Sequence, residues 1–216
     1  MKSKLKKIRV KLWYDQKKKW DKIAFSFMNP CKNIIDVGCG QGRFIAQDKN
    51  RIVGIDQSEA SLNKCKSLGY NVIKGDVRQL PFEDSSVEGI HCSHVIEHFQ
   101  PSDVHKILSE FDRVLKPKDV LVIRAPLLWY GFYSNLTHVR PYNPEAILHY
   151  LTPSRGHTFS QISDSYKVLC LKKRFGHIES RNIAINMLTR LGFPWLKKTG
   201  FMLVLKKGEL QKEING

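Results

Sequence analysis

The stretch from Asn33 to Phe44, N-I-I-D-V-G-C-G-Q-G-R-F, constrains this chain more than any other. Ile34, Ile35 and Val37 make a short apolar, β-branched run that reads as a buried strand. Gly38, Gly40 and Gly42 follow at alternate positions. Glycine permits the backbone angles of a sharp turn and lets the main chain approach a ligand closely. The segment from Arg43 to Asp48 is expected to open a helix whose free N–H groups face that turn. A strand, a glycine loop and a helix start together read as a nucleotide cradle. The spacing is G-x-G-x-G, with Asp36 two places ahead, and not the G-x-G-x-x-G of dinucleotide sites, which puts an NAD-dependent oxidoreductase behind other readings.

Beyond the loop, strand and helix keep alternating. Arg51 to Asp56 is a second β-branched run ending in an acid, 20 residues beyond Asp36, where a Rossmann-like fold carries the carboxylate for a ribose diol. Ser58 to Leu68 reads as a helix with Ser58 as its N-cap, stopped by Gly69. Asn71 to Gly75 is a third strand, and Asp76 comes directly after it. Val87 to Cys92 is a fourth, leading into Ser93 to Phe99 as a loop and helix start. Val104, Ile107, Leu108, Phe111 and Leu115 have helical spacing, broken at Lys116-Pro117, and Asp119 to Ala125 is another buried strand. Strand–helix alternation of this kind implies a parallel sheet with right-handed crossovers. Beyond Pro126, Leu127 to Tyr142 is aromatic and loop-like, and Glu145 to Leu151 is a short helix. Thr152 to Ser163 reads as irregular; Tyr166 to Leu171, His177 to Ile185 and Phe201 to Leu205 read as strands.

Composition narrows the partners. At 216 residues, 42% hydrophobic and 26% charged, the chain suits one α/β domain. No apolar run approaches the roughly 20 residues of a membrane span, and the lysine-rich start lacks the apolar core of a signal peptide. Five scattered cysteines make neither a disulfide framework nor a zinc pattern, which suits a reduced, cytoplasmic setting. The net charge of +16 favours anionic partners, RNA or an anionic membrane surface among them, or serves solubility alone. Residues 1–30 form a basic segment with Leu5, Ile8 and Leu12 on one helical face. It reads as a helix packed on the domain, or as a flap facing substrate or membrane.

Taken in order, D-V-G-C-G-Q-G, V-G-I-D-Q-S, G-D-V-R-Q-L-P-F-E-D-S-S-V-E-G-I, C-S-H-V-I-E-H-F and V-L-K-P-K-D-V-L-V-I resemble the type-11 branch of the class I S-adenosylmethionine-dependent methyltransferases, from Ile34 to Ala125. The resemblance implies an α/β, Rossmann-like class I methyltransferase fold: a mostly parallel seven-stranded sheet with helices on both faces. It implies one methyltransferase domain over residues 31–216, with 127–163 as an acceptor-side insertion. It also implies S-adenosyl-L-methionine as cofactor. The Gly38–Gly42 loop, with Cys39, would cradle its methionine part, and Asp36 would lie near its ammonium. Asp56, with Gln57 beside it, would take the ribose hydroxyls. Asp76 would accept from the adenine amino group with Val77 against the ring, and Ser93 and His94 would face the sulfonium.

A hydroxyl acceptor needs a base, and His94, His98 and His138 are the candidates, with Glu97 nearby. Some relatives carry E-x-x-E-H where this chain has His94-Val-Ile-Glu97-His98, and in those the cluster holds a divalent metal; here the pattern is incomplete and no metal is expected. Thr137 to Tyr142 resembles an acceptor-side loop of glycan methyltransferases, with His138 and Arg140 toward the acceptor. The acceptor expected first is small or carrier-linked, a glycan or lipid-linked hydroxyl. RNA is the alternative, and a non-catalytic S-adenosylmethionine-binding partner protein is another.

Overall fold

The computed structural model describes residues 18–129, 131–153, 160–175 and 198–209. The face made by Leu5, Ile8 and Leu12 and the strand expected from His177 to Ile185 lie outside those residues. One sheet runs through the molecule, built from β1 (Ile34–Val37), β2 (Ile52–Asp56), β3 (Val72–Lys74), β4 (Val87–Ser93), β5 (Leu115–Pro126), β6 (Lys167–Phe175) and β7 (Lys198–Lys206). Their order is β3-β2-β1-β4-β5-β7-β6. The neighbours among β1 to β5 are parallel, and β7 runs antiparallel to both β5 and β6. This is the mostly parallel seven-stranded sheet that the sequence implied.

Both faces of the sheet are covered, which is why its strands read as unbroken apolar runs. On one face lie α3 (Pro101–Val114) and α4 (Pro144–Leu151). The i, i+3, i+4, i+7 set Val104, Ile107, Leu108 and Phe111 is buried there with Ile147 and Leu151 against Ile35, Val37 and Ile90. On the other face, the helix over residues 18–26 (α1) and α2 (Glu59–Ser67) supply Trp20, Ala24 and Cys65. These pack with Met28, Ile34, Val122 and Met202. Ser58 caps α2 as expected, its Oγ accepting from Ser61 N at 3.3 Å.

Two local expectations are corrected. No α-helix follows the glycine loop; a turn leads into one 3-10 turn, Ile45–Gln47. Nine residues separate Gly42 from Ile52, and Phe44 and Ile45 are buried among them, so the chain is drawn into the core before a helix can extend. The β5 strand starts earlier than Asp119, directly at the end of α3. Pro117 has no N–H to give, Lys118 takes φ +72°, and the pairing with β4 jumps from Val87↔Leu115 to Gly89↔Val120.

Candidate active site

Between its neighbours β2 and β4, β1 is the point from which the chain winds outward in both directions, and ligands of open α/β sheets bind at the carboxyl end of such a switch point. The glycine loop sits there. Gly38 has φ +70°, and a Cβ on it would lie 2.3 Å from Cγ2 of Val95, so a side chain has no room. Gly40 has φ +52°, but a Cβ there would meet nothing within 4 Å; its surface is open to whatever occupies the cleft. Gly42 is held against Tyr70, and Cys39 is buried, with its thiol pushed up by that burial. Gly40 N donates to Asp56 Oδ2 and Ser58 N to Asp56 Oδ1, both at 2.8 Å. Two main-chain donors thus aim this carboxylate while each oxygen keeps a further lone pair. Gln57, next to it, is exposed.

Asp76 is more committed than the sequence suggested. Arg78 donates to it from Nε at 3.0 and 3.1 Å and from Nη2 at 2.7 Å, and this partner holds its carboxyl below the usual range. Val77 beside it is buried. The guanidinium also lies 5.7 Å from the centre of the Phe99 ring.

The end of β4 gathers the histidines. Ser93 Oγ is buried with no hydrogen-bond partner among the described residues. His94 takes φ +60°, an uncommon angle for a side chain of this kind. Its Nδ1 donates to Oε1 of Glu97 at 3.1 Å. Burial pushes the His94 pKa down, opposed by that carboxylate and reinforced by Arg174 and Arg124. Glu97 is fully buried, and its Oε2 has no partner among the described residues. His98 Nδ1 donates to Thr137 O at 2.9 Å, and His138 Nδ1 to Phe132 O at 2.8 Å. A ring whose Nδ1–H is spent on a carbonyl keeps Nε2 as its acceptor. The two rings meet edge to face at 5.0 Å between centres. One ligand-type atom from each of Glu97, His98 and His138 lies within 4.8 Å of the others, close enough to hold a metal ion. Sequence order separates His138 from His98; the bonds from Val139 N and Arg140 N to Glu97 O, 2.8 and 3.3 Å, bring it back.

Beneath the glycine loop lies a set of buried charges that the sequence motifs did not announce. Asp36 is 3% exposed, and His91 Nδ1 donates to its Oδ1 at 2.7 Å while Phe44 stacks on the His91 ring at 3.6 Å. The carboxylate expected near the cofactor ammonium is therefore engaged on one side from within the sheet. Asp21 of α1 is fully buried between Arg124 Nη1 at 2.5 Å and Arg43 Nε at 2.7 Å. A signal was available: His91 and Arg124 interrupt runs of apolar strand residues, and a buried charge needs a partner.

Residues 35–123 match the type-11 family described as "Methyltransferase domain". A carboxy-S-adenosyl-L-methionine synthase of Vibrio vulnificus is 26% identical over 128 residues, 52% of this chain and 51% of that protein. The chain thus spans about half the length of the first curated relatives it matches. A probable S-adenosylmethionine-dependent methyltransferase of Mycolicibacterium smegmatis is 30% identical over 100 residues, 44% of this chain and 38% of that one. Among solved structures, a SAM-dependent methyltransferase from Archaeoglobus fulgidus superposes with a TM-score of 0.66 at 22% identity, covering 89% of this chain and 94% of that one. That likeness shows a shared fold.

Proposed function

Because residues 35–123 are a domain of the class I S-adenosylmethionine-dependent methyltransferases, we propose that this chain moves a methyl group from S-adenosyl-L-methionine to a hydroxyl of a small or carrier-linked acceptor. The cofactor supplies a methyl already activated by a sulfonium. The residues present suit that ligand. The open face of Gly40 gives its methionine part a main-chain floor, and Asp56, pre-aimed by two N–H groups, is ready for the ribose diol. Asp76 and Val77 take the adenine edge, with Arg78 holding the carboxylate in place. Ser93 and His94 face the sulfonium, and the single 3-10 turn after the loop suits a ligand without a pyrophosphate to place on a helix end.

One observation carries the choice of a hydroxyl acceptor: His98 and His138 both spend Nδ1–H on main-chain carbonyls, leaving two Nε2 acceptors beside buried Glu97. In this reading one of them takes the hydroxyl proton as the oxygen attacks. The protein's larger contribution is alignment of donor and acceptor, worth on the order of 7–11 kcal/mol. Exposed Leu128, Tyr133, Leu136 and Val139 on the neighbouring segment support an acceptor carried on lipid at a membrane surface. No helix among the described residues is long and apolar enough to cross a membrane itself.

Calorimetry with S-adenosyl-L-methionine, its demethylated product and NAD tests the cofactor assignment. Binding of NAD in place of the sulfur compounds would overturn it. Transfer of labelled methyl to glycolipid, small-molecule and RNA pools then tests the acceptor; label confined to RNA replaces the first reading with the second, which the charge of +16 motivates. The closeness of Glu97, His98 and His138 supports a variant in which these three residues would hold a divalent ion, which would supply acidification of the acceptor hydroxyl where the first reading uses a histidine as proton acceptor. Metal content of the purified protein and loss of turnover on chelation decide between them.

A further inference from the structure

A cavity of about 280 Å³ opens between α3 and α4, away from the glycine loop. Its lining includes Val104 and Leu108 from one helix, Ile147 and Tyr150 from the other, and Pro101. The apolar walls follow from the periodicity of both helices, whose inner residues continue into the core. At its rim stands Arg140, exposed and with no ion-pair or side-chain hydrogen-bond partner among the described residues. The Tyr142 hydroxyl, also in the lining, is already spent on Phe99 O at 2.9 Å. Among the described residues the pocket therefore offers a mainly apolar interior, with Asn143 and with His105 Nε2 bonded to Ser160 O, and Arg140 as an uncommitted cation. Its size is near the lower end of ligand sites, roughly 300–1,000 Å³. A single ring or a short chain is a suitable occupant for a pocket of this size.

The geometry points to a binding site for a small anionic amphiphile, its acidic group on Arg140 and its apolar body between α3 and α4. Resting on the methyl-transfer reading, we assign this site to the acceptor. The Arg140 and Val139 main chain is bonded to Glu97 O, so the segment that carries Arg140 is joined to the turn that carries His98. The acceptor class is then a hydroxyl compound with a compact hydrophobic part and a carboxylate or phosphate, and a neutral sugar is disfavoured.

Octanoate, octyl phosphate and octanol serve as probes, each titrated into the full chain by calorimetry, with and without saturating S-adenosylhomocysteine. The two anions are expected to bind with the cofactor product in place, and octanol more weakly. Arg140→Gln should weaken the anions about tenfold or more and leave octanol unchanged, since it removes a charge-assisted hydrogen bond. Ala146→Phe, at an exposed lining position, should block all three. Octanol binding as well as octanoate, an Arg140→Gln variant indistinguishable from wild type, or displacement of S-adenosylhomocysteine by the probes would each overturn the assignment. A preference between octanoate and octyl phosphate names the acidic group. Probe binding needs no cofactor, so failure of S-adenosylhomocysteine to bind breaks the methyl-transfer reading and leaves the pocket result standing.

Discussion

The two faces of the sheet are built on different physics. Under α3 and α4 the buried residues are mainly aliphatic and aromatic, and the main buried charge is Lys207, whose Nζ donates to the Asp112 and Leu115 carbonyls at the end of α3. Under α1 the same sheet buries Asp36, His91, Arg124 and, from the helix itself, Asp21. Burying charge is expensive, and an ion pair of this kind seldom adds much net stability over an apolar equivalent. Its value lies in geometry. Asp21 joins the helix at the N-terminal side to Arg43, which follows Gly42, and to Arg124 on β5. Both faces bury an apolar cluster; the α1 face adds a charged set that reaches the loop through Arg43.

That contrast can be broken most directly with paired substitutions. Phe111→Ala on the apolar face and Asp21→Ala on the charged face should each cost about 3–5 kcal/mol in urea unfolding, the first through a cavity and the second by stranding Arg124 without a partner. They should part company in calorimetry. Asp21→Ala frees Arg43 and should weaken S-adenosylmethionine binding, whereas Phe111→Ala should leave it intact below the melting range. Equal affinities in the two variants would erase the proposed division of labour.

A smaller effect belongs to the loop itself. Asp56→Ala should lower S-adenosylmethionine affinity about tenfold or more, through loss of a charged hydrogen-bonding partner and of the acceptor for Gly40 N. Unchanged affinity sinks the ribose assignment and, with it, the reading of this edge as the cofactor side.

The smallest effect is one of pH. Burial lowers the His94 pKa in the folded state, so the unfolded chain binds its proton more readily. The stability contributed by neutral His94 is present above the unfolded value of about 6.5 and is lost as pH falls from there through the folded value. Wild-type protein should therefore lose more thermal stability between neutral and mildly acidic pH than His94→Asn, a residue that tolerates the same positive φ. Identical pH slopes for the two would show that His94 carries no such linkage.

Legibility in the sequence divides along the same line. The spacing of Val104, Ile107, Leu108 and Phe111, the Ser58 cap and the β-branched strands are local patterns, and each found its place in the sheet and helices. The glycine loop was legible because backbone conformation restricts residue type so strongly there. Asp21 and Arg124 are 103 residues apart, and no periodicity connects them. His138 was a candidate base from the loop it sits in, but its place beside His98 rests on the bonds to Glu97 O, which no spacing announced. The missing helix after Gly42 was a matter of length: nine residues before Ile52 with a buried Phe44 among them leave room for one tight turn. The Arg78 clamp on Asp76, two residues away in D-V-R, was within reach of a closer local reading.

Three hydrogen bonds stitch the segment from Val139 to Tyr142 onto the turn between Glu97 and Phe99: two main-chain donors on Glu97 O and the Tyr142 hydroxyl on Phe99 O. Connecting segments of a domain ordinarily vary freely among descendants of one ancestor. This one does not have that liberty. Any exchange of the segment, by drift or by grafting, also reseats the turn on which His98 stands, so a new acceptor preference and a working proton acceptor must be acquired in the same step. Lineages built on this arrangement are expected to change acceptor through substitutions lining the α3–α4 cleft, keeping the stitched backbone as it is.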